Sequence, residues 1–494
     1  MTLAVIFAYL GLVLLVGGLS HRLFRGTGED YFVASRTIGP FLLLMSLFGT
    51  NMTAFAILGA SGEAYHEGIG VFGMMASSSA LIIPTVFFFV GMKVWALGKQ
   101  HGILTQVQYF RQRWNSDGLG LVLFIVLIVL LIPYLLIGVM GGGLTLNLIT
   151  KGDVPRWAGS LLVCVVVMTY VCYGGLRGTA WVNTFQTLVF MILGGVAFIV
   201  ILRELGGLSG AMAALAEKQP DLLIRGDHIK PLKLLTYTCI PLSVGMFPHM
   251  FMHWLTAKGA RTFRVPLMVY PLCIAAVWIP SVTLGVVGHL SFPGLKGPAA
   301  NSILVRLIDL HAPEVLAGLL AAGVFAAVMS SLDSQVLSIG TMFTQDIVRH
   351  YGWGGGEQMS ERRQVLYGRL FVTAILILTF ALAQVVDRSI FKLAIWSFTG
   401  FAALFPIVVA ALFWKRSTKY GALASIASVA VLWIYFFSKG WQTPGYTVGG
   451  TGIMPVAVIL AASAVAMVVG SLLTRPPEPA VVRRFFPSHD PGGR

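Results

Sequence analysis

The chain has 494 residues, of which 57% are hydrophobic and only 11% charged, a balance that excludes an ordinary soluble domain and a disordered chain alike. The net charge of +15 would suit a nucleic acid. The basic residues sit in short loops between long apolar runs, however, which excludes that partner and points to a lipid bilayer.

Thirteen spans are predicted in chain order, near 2–19, 38–64, 70–97, 118–147, 157–174, 179–203, 235–257, 264–290, 314–345, 366–386, 390–414, 421–438 and 453–474. The first has no basic leader and no small-residue cleavage site, so it reads as a retained helix rather than a signal peptide. Lys and Arg counted in alternate loops number 20 on the side that includes the C-terminus and 10 on the other. That bias predicts an outside N-terminus and a cytoplasmic C-terminus in the cell membrane. The outer stretches 204–234, 291–313 and 437–452 and the tail from Pro476 are rich in Gly or Pro and read as connections. The chain has no Walker A motif, no soluble segment large enough for a nucleotide-binding domain and no catalytic constellation, so neither ATP-driven transport nor an enzyme is expected. Cys164, Cys172, Cys239 and Cys273 lie in apolar runs without metal-ligand spacing and read as reduced packing residues.

Two spans are interrupted. The second carries Gly49-Thr50-Asn51-Met52-Thr53 at its middle, followed by Gly59 and Gly62. The seventh carries Pro241, Gly245 and Pro248, and a proline removes a helix hydrogen bond and clashes with the preceding turn. A helix broken at membrane depth frees backbone carbonyls, which is tolerated only where they line a cavity or bind something. Two such spans, five apart and opposite in direction, predict an inverted five-helix repeat.

The ninth span, LAAGVFAAVMSSLDSQVLSIGTMFTQDIVR, is apolar enough to cross a bilayer yet carries Ser330, Ser331, Asp333 and Ser334 at its centre. At about 100° per residue, Ala327, Ser331, Asp333 and Ser334 all fall within about 100° of Ser330. One side of the helix thus gathers oxygen groups, which suit a small hard cation. An ionisable residue at this depth marks an ion or solute pathway by default. Asp333 has three readings: a cation ligand, a carboxylate paired with a Lys or Arg, or a group that exchanges a proton. Elsewhere, Asn51, Thr53, Ser77 and its neighbours Ser78 and Ser79, and Ser243, Met246 and Phe247 are candidates to meet a solute. His249 and His253 share one side of span seven and read as packing or hydrogen-bonding histidines, since further metal ligands are missing. Glu63 and Glu67, at the outer end of span two, either line a vestibule or are solvated.

Three stretches carry a family resemblance. AAVMSSLDSQVLSIGTMFTQDI (326–347) resembles the signature on the eighth core helix of the sodium:solute symporter family, whose members include galactose, proline, sialic acid and pantothenate transporters. YGGLRGTAWVNTFQ (173–186) is similar to the family's Gly-Gly-Leu-(Lys/Arg)-x-x-x-Trp-Thr-Asp-x-x-Gln stretch, and DYFVASRTIG with the broken span after it resembles the family's entry to its first core helix. The resemblance implies an all-α, leucine-transporter-like fold. Residues 1–37 would hold an extra helix and a loop, 38–203 and 204–414 the two inverted repeats, 415–474 two further helices and 475–494 a tail.

By the same resemblance the chain is a secondary active transporter that takes up a small polar organic solute with Na+ by alternating access, without an organic cofactor. A proton-coupled symporter of the same fold and a non-transporting solute sensor are the alternatives. Carried over by motif, a first sodium site consists of the backbone carbonyls of Gly49, Met52 and Ala327 with the hydroxyls of Ser330 and Ser331. A second is built from Asp333 and Ser334 with Asn183. The chain departs from the family where Asn51 and Asn183 replace aspartates and where His253 stands in an arginine's place. Asp333 then reads as an acid relocated from the fifth core helix to the eighth.

Overall fold

The computed structural model describes residues 1–21, 36–226, 229–352, 359–443 and 445–486. Among them the only β-contact is an isolated bridge between Ile38 and Ala257; the rest is helical or irregular. The helices are α1 (Thr2–His21), α2 (Pro40–Asn51), α3 (Phe55–Glu67), α4 (Phe72–His101), α5 (Gln106–Trp114), α6 (Asp117–Ile149), α7 (Arg156–Glu204), α8 (Gly207–Lys218), α9 (Pro231–Gly245) and α10 (Pro248–Leu255). They continue with α11 (Ala260–Leu290), α12 (Ile303–His311), α13 (Glu314–Arg349), α14 (Glu361–Val385), α15 (Ile390–Phe413), α16 (Lys419–Gly440), α17 (Pro455–Leu472) and α18 (Pro479–Phe485).

Ten helices are long and apolar enough to cross a membrane, and two bent pairs raise that to twelve. The bent pairs are the interrupted spans: α2 and α3 meet at 60°, α9 and α10 at 53°. The remaining expected span is hidden in α7. As one straight rod its 49 residues would extend about 74 Å, more than twice the hydrocarbon thickness. Yet Tyr170 and Val182 both lie against Gly17, although twelve residues of straight helix would part them by about 18 Å. The apolar stretches Arg156–Val171 and Gly178–Glu204 of α7, the second long enough to cross a membrane, correspond to two of the expected spans.

The core sits around α13, whose residues from Leu320 to Met342 are buried without exception. Only close approach lets its neighbours in. A methyl group at Gly49 would strike Thr187 Oγ1, and one at Gly285 would strike the backbone of Ser61. The first places α2 against the second half of α7; the second places α11 against α3. At the other end of the broken spans, Ile38 N donates to Thr256 O at 3.0 Å and Lys258 N to Ile38 O at 3.0 Å. The segments flanking the two broken spans are thereby tied together.

The short amphipathic helix α5 is anchored at both ends. Thr105 Oγ1 donates to Asp346 at 2.6 Å, and Arg111 pairs with the same carboxylate at 3.3 Å. Gln106 Nε2 donates to Met246 O at 3.1 Å. Arg113 Nε donates to Ala411 O at 2.9 Å. The C-terminal α18 packs beside it, with Phe485 buried and the Arg113 guanidinium over the Phe486 ring at 5.0 Å.

Candidate functional site

At the first break, α2 ends at Asn51 and Met52 leaves helical geometry at φ −87°, ψ 96°. The intrahelical ladder stops there. Phe55 N turns to Thr53 Oγ1 at 2.9 Å, and Gly49 O accepts from Ser330 Oγ at 2.9 Å. Ser330 and Ser331 are buried, and each hydroxyl also reaches a carbonyl of its own helix, Ala327 O at 3.2 Å and Val328 O at 3.1 Å. With its proton parked on a carbonyl, a serine oxygen keeps lone pairs free for a cation. Gly49 and Ser330 are thus in direct contact, and Ala327 and Ser331 flank Ser330 on the same buried side of α13. The set is neutral and all-oxygen, the chemistry of a hard monovalent ion. Among the described residues no group of three or more His, Cys, Asp or Glu suits a transition metal.

One turn along α13, Asp333 is fully buried with no Lys or Arg beside it among the described residues. Its carboxylate accepts from Tyr170 OH at 3.0 Å and from Ser334 Oγ at 3.1 Å. Ser334 in turn accepts from Asn183 Nδ2 at 2.8 Å and lies 3.1 Å from His253 Nε2. His253 Nδ1 is 2.8 Å from Ser46 Oγ. The inventory of donors fixes the directions. The Ser334 proton goes to Asp333, so His253 must donate from Nε2 and accept at Nδ1 from Ser46. Among the described residues Asp333 has hydroxyl and amide neighbours and no ion-pair partner. The polar surroundings are also incompletely satisfied: Asn183 Oδ1, both amide atoms of Gln186 and Tyr9 OH are buried without a hydrogen-bond partner. The Gln186 amide lies beside the hydroxyls of Tyr9 and Tyr170.

Of the residues expected to meet a solute, Asn51 bonds Tyr270 OH at 2.8 Å and Thr53 caps α3, so both help hold the break. Ser243 is buried in a 3₁₀ turn ahead of the second break, Met246 O accepts from Gln106, and Phe247 caps α10. Phe247 stacks on His249 with centroids 5.0 Å apart and faces Tyr134 at 5.2 Å and Phe398 at 5.4 Å. Ser77 does not join them. Three consecutive residues sweep about 200° of a helix, so Ser77, Ser78 and Ser79 cannot all face inward. Ser77 is exposed on the side shared with Leu81, and Ser78 and Ser79 are buried.

Sequence reasoning missed Tyr134, beside Phe247, and Gln335, beside Tyr134, and read His249 only as a packing or hydrogen-bonding histidine. Tyr134 OH, both ring nitrogens of His249 and both amide atoms of Gln335 are buried and unpartnered. They come from α6, α10 and α13, and no local motif links them. Above them Phe55 stacks on Phe391 at 5.6 Å and meets Phe398 edge-on at 5.2 Å. Phe391 also lines a chamber of about 430 Å³ that includes Glu63, Glu67, Lys233, Arg388, Lys392 and Trp441. The two glutamates therefore do line a vestibule. The cysteines are as expected where described: Cys164 and Cys273 are buried, Cys239 is half-buried and all three are free, while the Cys172 side chain lies outside the described residues.

Residues 31–428 match the model of the sodium:solute symporter family. The chain belongs to this family. Among relatives of this sodium:solute symporter, a sodium/proline symporter of Escherichia coli is 24% identical, with 96% of this chain and 93% of the relative covered. A high-affinity proline transporter of Bacillus subtilis is also 24% identical, over 96% and 98%. A Na+-coupled sialic acid symporter solved in a substrate-bound, outward-open state superposes with a TM-score of 0.79 at 18% identity, over 97% of this chain and 98% of that one. A nucleobase-cation-symport-1 transporter, Mhp1, superposes at 0.62 and 13% identity, over 93% and 99%. The leucine-transporter-like fold expected from the sequence is therefore the fold of this symporter. It is a sodium-coupled, multi-pass membrane transporter and not an enzyme.

One prediction follows from the network around Ser334. Ser334→Ala deprives His253, Asn183 and Asp333 of a partner at once, and each buried group left unpaired costs about 1–3 kcal/mol. The melting temperature of the purified protein is expected to fall by several degrees. Ser338→Ala is expected to leave it nearly unchanged, because Ser338 Oγ bonds only Gln335 O of its own helix.

Proposed function

We propose that this symporter carries a small polar organic solute into the cell with Na+ by alternating access, the solute binding between the two broken spans. The observation that supports this most is the pairing of Ser330 Oγ with Gly49 O, which joins α13 to the break in the first broken span. A cation held by Gly49, Met52, Ala327, Ser330 and Ser331 would bridge the two elements and favour the conformation in which they are together. The solute pocket we infer is the adjoining cluster of Phe247, Tyr134, His249 and Gln335, whose unpartnered polar atoms offer donors and acceptors with aromatic walls. Ser243 and Met246 shape its edge, and Asn51 and Thr53 hold the break beside it.

A second cation position is proposed at Asp333, Ser334 and Asn183. A buried carboxylate without a cation costs several kcal/mol in desolvation, so an ion beside Asp333 would relieve that cost. The N-terminus is proposed to lie outside and the C-terminus inside, as the loop charges indicate.

If the first site is correct, Ser330→Ala and Ser331→Ala each raise the sodium concentration for half-maximal uptake about tenfold, the equivalent of about 1.4 kcal/mol. Uptake driven by a proton gradient alone and indifferent to sodium would overturn the assignment. For the second site, Asp333→Asn is expected to impair sodium-driven uptake per folded protein. The double variant Asp333→Asn with Asn183→Asp is expected to recover part of it. A folded Asp333→Asn with full coupling, or a double variant no better than the single, would refute the relocated acid. Orientation is checked by impermeant thiol labelling in intact cells: a cysteine at Thr2 should react and one at Ser488 should not, and the reverse pattern would invert the topology.

A further inference from the structure

The 430 Å³ chamber lies on the far side of the Phe55–Phe391 stack from the central cluster and has polarised walls. On one wall α3 presents Glu63 and Glu67, with Lys233 of α9 paired to Glu67 at 3.2 Å. Glu63 makes no hydrogen bond or ion pair among the described residues, and it shares with Glu67 the single cation Lys233, so this wall carries one more carboxylate than cation. On the other wall stand Arg388 and Lys392, with no acid within ion-pairing distance of either among the described residues. Lys392 Nζ is held by Trp441 O at 2.6 Å, and the Arg388 guanidinium lies over the Trp441 ring at 5.0 Å with its Nε buried and unpartnered.

A ligand that matches these walls carries an ammonium and a carboxylate at opposite ends of a short body. A solute with one charge leaves the opposite wall uncompensated in a partly desolvated space, where charge separation is expensive. The volume falls within the range of small-molecule sites. The indole of Trp441, fixed between the two cations, offers an apolar surface for the body of the solute.

We propose that this chamber is an outer binding site for zwitterionic amino-acid-like solutes, with the ammonium on Glu63 and the carboxylate on Arg388 and Lys392. It needs none of the sodium ligands, since neither Ser330 nor Asp333 lines it. Solute held there waits above the Phe55–Phe391 stack for the central site to open. The role in uptake rests on the symport reading; the binding does not.

The test measures equilibrium binding by calorimetry to the purified full-length protein in sodium-free buffer, with three probes of similar shape. These are L-proline, cyclopentanecarboxylate (no ammonium) and pyrrolidine (no carboxylate). The wild type is expected to bind L-proline at least tenfold more tightly than either of the others. Glu63→Gln should weaken L-proline at least tenfold and leave cyclopentanecarboxylate unchanged. Arg388→Gln should weaken L-proline at least tenfold and leave pyrrolidine unchanged. Equal or tighter binding of cyclopentanecarboxylate would make this an organic-anion site and overturn the proposal. So would the absence of sodium-free binding by L-proline, or binding that neither substitution alters. The comparison of probes on the wild type does not depend on any variant folding. Uptake that proves independent of sodium would overturn the symport reading and leave this result standing. Sodium-driven uptake without sodium-free binding would do the opposite.

Discussion

In hydrocarbon no water replaces a missing hydrogen bond, so every backbone group freed from a helix must find a partner inside the protein. That constraint governs this molecule. The chain breaks its helices at Met52 and again at Met246, and both breaks are enclosed by other elements. Gly49 O is taken by Ser330 of α13, Phe55 N by Thr53, and Met246 O by Gln106 of α5. The burial of α13 is therefore more than packing. It is the supply of side chains that makes a broken span tolerable, and the same side chains are the ones with oxygen lone pairs to offer an ion.

Asn183 and His253, from different helices, meet at one atom, Ser334 Oγ. Two neutral groups thus stand near the carboxylate of Asp333. An arginine in the place of His253 would neutralise Asp333, and an acid in the place of Asn183 would repel it. Among the described residues Asp333 thus has no charged neighbour at this depth, and Tyr170 and Ser334 fix its direction.

Much of this was legible in the sequence because it is local. The two breaks are written in Gly49–Thr53 and in Pro241, Gly245 and Pro248. The common side of Ala327, Ser330, Ser331, Asp333 and Ser334 follows from helical spacing alone, and all five are buried together. What was not legible is what depends on contacts between distant segments. Nothing near Tyr170 or Tyr9 announces Asp333, and Tyr134 and Gln335 belong to two helices with unremarkable surroundings. Ser77 was misleading for a different reason. A run of serines has no face until the phase of its helix is known, and here a π-helical stretch over Phe72–Ser77 sets that phase.

The helix α5 has a mechanical meaning that its short length conceals. Through Gln106 it holds the second broken span, through Thr105 and Arg111 the end of α13, and through Arg113 the end of α15. Three elements that belong to different parts of the fold thus hang from a nine-residue strut. None of them can swing away from the others at this end without unfastening a buried arginine or a backbone carbonyl. The strut works as a linchpin, and the terminal Phe485 and Phe486 rest against it like a wedge.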